Sequence, residues 1–82
     1  MKESEEKIEV IAYSGYRGEE TPRTILFRWK RIEVVEVLQQ WIEERFDYRN
    51  IRRFYQVKGS DGNLYTISYD EKSMEWFQIN KE

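Results

Sequence analysis

Apolar and polar positions alternate along several short stretches of the chain. Each stretch reads as a β-strand, because successive side chains of a strand point to opposite faces. In the first, Ile8, Val10 and Ala12 share one face and Ile11 and Tyr13 the other. A loop from Ser14 to Pro22 follows, marked by Gly15, Gly18 and the only proline. Ile25, Phe27 and Trp29 then alternate with Thr24, Leu26 and Arg28. Further on, Arg53, Tyr55 and Val57 alternate with Arg52, Phe54, Gln56 and Lys58, and Tyr65, Ile67 and Tyr69 alternate with Leu64, Thr66 and Ser68. Between these two runs lies Gly59-Ser60-Asp61-Gly62-Asn63, whose Asp-Gly step signals a hairpin turn. Asp70 to Ser73 turns the chain again, and Met74 to Ile79 reads as a closing strand. Strands joined by such tight loops form an antiparallel meander.

The stretch from Ile32 to Phe46 carries two patterns at once. Val34, Val37, Leu38, Trp41 and Ile42 fall at the i, i+3, i+4, i+7 and i+8 spacing of an amphipathic helix. Glu33, Glu36, Gln40, Glu43 and Glu44 would fill much of the other helical face. Yet no Ser, Thr, Asp or Asn precedes the stretch as an N-cap, and no Gly closes it. The β-branched cluster Ile32, Val34, Val35 and Val37 favours a strand, in which the Val34-Val35 pair would break alternation as a bulge. The residues alone leave both readings open.

At 82 residues the chain is one small domain, 1–82, with the charged residues 1–6 expected to be disordered. A domain this small buries only about 60% of its unfolded surface. Charged residues make up 37%, which would suit a disordered tail, but three Trp, six Tyr and four Phe are far too many aromatics for one. Thirteen aromatics also exceed what so small a core easily holds, so some are expected at the surface.

The absent residue types narrow the chemistry. Without Cys there is no disulfide, thiol nucleophile or thiolate metal site, and without His there is no imidazole base and scarcely any route to zinc, copper or haem. Ser and Thr have no base to activate them. No phosphate-binding glycine motif is present. Gly15-Tyr16-Arg17-Gly18 has the form of the KH-domain loop, but that loop joins two helices and this one follows a strand. The acidic pairs Glu19/Glu20, Glu43/Glu44 and Asp70/Glu71 are adjacent in sequence and so point apart, which rules out a carboxylate dyad by spacing. A non-enzyme without cofactor or metal is expected. The polar, acidic start of the chain and the lack of a long apolar run lead to an expected cytoplasmic location with no membrane contact.

Charge is unevenly spread. The net charge is −2, yet all eight Arg lie between Arg17 and Arg53. Six of them gather in Arg28-Trp29-Lys30-Arg31 and in Arg45, Arg49, Arg52 and Arg53, each group beside aromatic residues. Arg binds phosphate bidentately and stacks on rings, and an aromatic face with Arg holds single-stranded nucleic acid. The same combination builds protein hot spots. The candidate binding residues are therefore Trp29, Arg45, Arg49, Arg52 and Arg53. The leading expectation is weak contact with single-stranded nucleic acid. The alternative is a protein-protein interaction adaptor that uses the same face or an open sheet edge. An acidic chain counts against general nucleic-acid binding, and an ordinary salt-bridged surface would account for the Arg clusters too.

From Ile8 to Ile79 the sequence also resembles a family of small bacterial proteins of uncharacterised function. It is similar to the C-terminal domain of inactive translesion-polymerase-like proteins of actinobacteria. The resemblance rests on Trp41, Arg52-Arg53, Tyr55-Gln56-Val57, Asp61-Gly62 and Trp76. It implies an all-β domain near DNA-repair machinery and favours a strand from Ile32 to Trp41. It brings no catalytic residue with it. The fold expected on both grounds is all-β, a small antiparallel curled sheet or barrel of five to six strands. The strands are expected near 7–13, 24–29, 32–42, 52–58, 64–69 and 75–79.

Overall fold

The computed structural model describes residues 3–14, 20–28, 30–45 and 50–81. They form six antiparallel strands: β1 (Glu3–Ser14), β2 (Glu20–Leu26), β3 (Arg31–Arg45), β4 (Asn50–Gly59), β5 (Leu64–Asp70) and β6 (Glu75–Lys81). Each strand pairs with the next in sequence, and β1 closes the barrel against β6. The all-β barrel expected from alternation is the fold observed. The described residues include no helix long and apolar enough to cross a membrane.

Two long strands make the closure possible by changing partners part-way. β1 pairs with β6 from Glu3 to Ile8 and with β2 from Glu9 to Ser14. β3 pairs with β2 from Arg31 to Glu33 and with β4 from Val34 onward. Glu3 to Glu6 are thus strand residues, where their composition suggested disorder, because β6 offers them a ladder from Gln78 to Lys81. β2 also starts earlier than alternation suggested and takes in Pro22. The β1–β2 register slips by one residue between Ile11 and Ala12, which leaves Arg23 as the extra residue beside the proline. Proline, lacking an N–H, is tolerated in strands at such bulges.

Ile8, Ile25, Ile32, Tyr55, Val57, Ile67, Tyr69 and Trp76 form the core. Trp76 lies against both Tyr55 and Tyr69, with ring centroids 5.7 Å and 4.8 Å apart. The β4–β5 turn is built as its residues require. Gly62 adopts φ 86°, a conformation that glycine takes without penalty. Asp61 accepts hydrogen bonds from the Asn63 backbone, the Asn63 side chain and the Tyr65 hydroxyl. Gly59 is needed for space: a Cβ there would lie 2.6 Å from Cγ2 of Ile32.

The opposite face of the sheet is also partly covered. Cross-strand register aligns Trp41, Phe54, Ser68, Phe77 and Lys7 in one row, and Glu43, Arg52, Asp70 and Glu75 in the next. Directly opposed residues share a face, so these rows interact side by side. Trp41 stacks on Phe54 with centroids 5.4 Å apart and planes 7° from parallel. Phe54, Ser68 and Asp70 are buried beneath this layer. β5 is therefore covered on both faces, which its alternating sequence did not suggest.

Candidate functional site

Two features of β3 define the site. The first is a free edge. From Val34 to Arg45 the strand has β4 on one side, while its pairing with β2 ends at Glu33. Among the described residues no other strand lies against that second side. An unpaired edge exposes a row of backbone N–H and C=O groups and is a template for another strand.

The second feature is how unevenly the edge is protected. The β3–β4 register slips between Val34 and Glu36 and again between Val37 and Gln39. Val35 and Leu38 are the extra residues, and both are exposed. Bulges twist an edge and discourage pairing. Beyond them, Gln39 to Arg45 pair one for one with Gln56 to Asn50 and carry no bulge. The regular part of the edge also carries exposed apolar surface. Ile42 is 57% exposed, and Ile51, diagonal to it across the hairpin, is 37% exposed. An open depression of about 290 Å3 lies beside them, lined by Gln40, Trp41, Ile42, Arg53, Phe54 and Tyr55.

The Arg residues singled out from the sequence are placed differently from one another. Arg52 and Arg53 are neighbours in β4 and so face opposite sides of the sheet. Arg52 lies over the Phe77 ring, 4.8 Å from its centroid, hydrogen-bonds Glu5 and sits 3.6 Å from Asp70. Its side chain is only 15% exposed. Burial works against its charge, but the Glu5 hydrogen bond and the nearby Glu5 and Asp70 charges outweigh burial and raise its pKa above the ordinary value. Arg53 donates from Nε to Glu71. Both guanidinium groups are thus engaged by carboxylates. Arg45 ends β3, but its side chain lies outside the described residues, as do Trp29 and Arg49 entirely. The Gly15 to Gly18 loop is outside them as well. In the other basic cluster, Arg31 pairs with Glu33 and Lys30 lies over Phe27.

The partnering of Arg52 has a consequence on β3. By register Arg52 stands opposite Glu43 and would be its natural counter-ion. With Arg52 held by Glu5 and Asp70, Glu43 instead accepts a hydrogen bond from the Trp41 indole at 3.1 Å. Among the described residues no cation forms an ion pair with Glu36, Glu43 or Glu44. The charged side chains described along the open edge, Glu36, Glu43 and Glu44, are all acidic.

Sequence reasoning named an open edge in general terms but missed Ile42 and Trp41 as its centre. The available signal was the paired valines, which marked one of the two bulges. Among the described residues no group of three or more His, Cys, Asp or Glu gathers as a metal site. No protein-family model matches the chain, nor does any curated protein or solved structure.

Proposed function

We propose that this chain is a non-catalytic protein-interaction module that takes an extended segment of a partner as an added strand along Gln39–Arg45 of β3. The observation that carries this reading is the regular, unbulged half of a free edge with Ile42 exposed at its middle. In strand addition the backbone ladder supplies affinity, and alternate side chains supply specificity. Trp41, backed by the buried Phe54 on one face, and the depression beside Ile42 offer places for those side chains.

Contact with single-stranded nucleic acid has less support. It needs several cations on one surface, whereas Arg52 and Arg53 face opposite ways and each already engages carboxylates. One experiment separates the two. A photo-crosslinking amino acid replaces Ile42, or Leu64 as an exposed control on β5, and the protein is irradiated in native lysate with and without nuclease. The expected result is a nuclease-resistant protein adduct from position 42 that position 64 does not give. Adducts that disappear with nuclease would move the function to nucleic acid, and the absence of any protein adduct at 42 would remove the edge reading. The identity of the adduct would also report on the repair machinery implied by the likeness to translesion-polymerase-like proteins.

A further inference from the structure

Resting on that reading, we infer that the segment taken by β3 is basic, with two adjacent Lys or Arg opposite Glu44 and Glu43 followed by an aliphatic residue opposite Ile42. Glu43 faces Arg52 across the β3–β4 ladder, but Arg52 is drawn to Glu5 and Asp70 over the Phe77 ring. Arg53, opposite Ile42, turns to Glu71. Glu43 and Glu44 therefore lie on the open side of the hairpin, while Arg52 and Arg53, the β4 cations opposite Glu43 and Ile42, are engaged elsewhere.

Geometry turns this into a pattern. Glu43 and Glu44 are consecutive, so one carboxylate lies on each face of the ribbon. A strand laid antiparallel along the edge presents one residue to each of Glu44, Glu43, Ile42, Trp41 and Gln40 in turn, and opposed side chains share a face. Two consecutive cations meet one carboxylate on each face. The next residue lands on the exposed surface of Ile42, and the one after it on the Trp41 face, where an aromatic ring has Trp41, itself stacked on Phe54, to pack on.

A second copy of this chain fits less well. Antiparallel self-pairing centred on Ile42 sets Glu43 of each copy against Trp41 of the other and Glu44 against Gln40. That doubles the carboxylates at the seam without bringing a cation opposite them, and like charges at an interface oppose pairing.

The test uses two short capped peptides, one with Lys-Arg-Val-Tyr-Thr at its centre and one with Glu-Glu-Val-Tyr-Thr. Each is titrated into the isotope-labelled full chain at low salt, with backbone amide shifts as the readout. The basic peptide is expected to bind about tenfold more tightly than the acidic one, as two exposed charge pairs would give. Its shifts should centre on Gln39 to Arg45, and its affinity should fall as salt rises. In the Glu43→Gln, Glu44→Gln double variant, whose substitutions are at exposed positions, the difference should shrink to about threefold or less. Equal binding of both peptides at the edge would overturn the charge inference while leaving strand addition standing. If neither peptide shifts β3, strand addition fails as well. Shifts centred on other acidic residues, such as Asp61 or Glu75, would reduce the effect to general attraction and overturn the inference. Dimerisation seen by sedimentation and abolished by Ile42→Lys would replace the basic segment with a second copy.

Discussion

Arg52 and Arg53 are adjacent and chemically identical, yet the fold uses them differently. Arg52 bridges Glu5 of β1 and Asp70 of β5 over the Phe77 ring, so its replacement by Ala removes the cation beside a buried carboxylate, Asp70, and unties β1 from β4 at Glu5. Arg52→Ala is expected to lower stability by about 2 kcal/mol, the usual scale for hydrogen bonds to charged groups. Arg53 is more exposed and pairs only at the surface, so Arg53→Ala should cost less than about 1 kcal/mol. Urea unfolding of the two variants checks the contrast, and equal losses would contradict the structural role given to Arg52. Gly59 makes a second residue-scale case. Its Cβ position is occupied by Cγ2 of Ile32 at 2.6 Å, and Ile32 is a core side chain with no room to withdraw. Gly59→Ala should destabilise by about 1–3 kcal/mol, the cost of overpacking. An Ala variant as stable as the parent would show that the β4–β5 turn yields more easily than the core contacts imply.

At the level of the element, β3 explains why its own sequence read two ways. An unbroken strand repeats every two residues, but one extra residue at Val35 and another at Leu38 each shift the phase. Val34, Val37 and Gln40 consequently stand opposite Gly59, Val57 and Tyr55, on the core-side face, at a spacing of three. Two bulges three residues apart thus imitate the apolar spacing of a helix. The same bulges confine the open edge to Gln39–Arg45. Ile42 packs little there, so Ile42→Lys should change stability by less than about 0.5 kcal/mol. A lysine on an edge strand opposes pairing, and binding of the basic peptide should weaken about tenfold. Calorimetric unfolding and peptide titration together check this. A large stability loss would show that Ile42 belongs to the core.

For the whole molecule, carboxylates in and beside the strand ends couple stability to pH. Hydrogen bonds from Arg31 and then Thr24 hold the Glu33 carboxyl below its ordinary 4.5. The Lys7 ammonium, then Ser73, does the same for Glu75. The Tyr65 hydroxyl, then Asn63, lowers Asp61 from 3.8. A carboxyl whose pKa is lower in the folded state contributes stability that is complete above the unfolded value and is lost as pH falls through the folded one. The urea midpoint should therefore hold down to about pH 5 and decline below about 4.5. A Glu33→Gln, Asp61→Asn, Glu75→Gln variant should show a shallower decline. An identical acid profile in parent and variant would mean that other groups control acid unfolding. The sequence by itself determined the β4–β5–β6 meander and its Asp61-Gly62 turn, because alternation and turn chemistry act between near neighbours. It also determined that neither a thiol nor an imidazole is available for chemistry. Only the tertiary structure decided that Glu3 to Glu6 join the sheet, that Ser68 and Asp70 are buried, that Arg52 is held by Glu5, and that β3 leaves β2 after Glu33. Each of these depends on strands far apart in the chain closing into one barrel. A residue's partner across that closure is set by register and curvature, which no local pattern encodes.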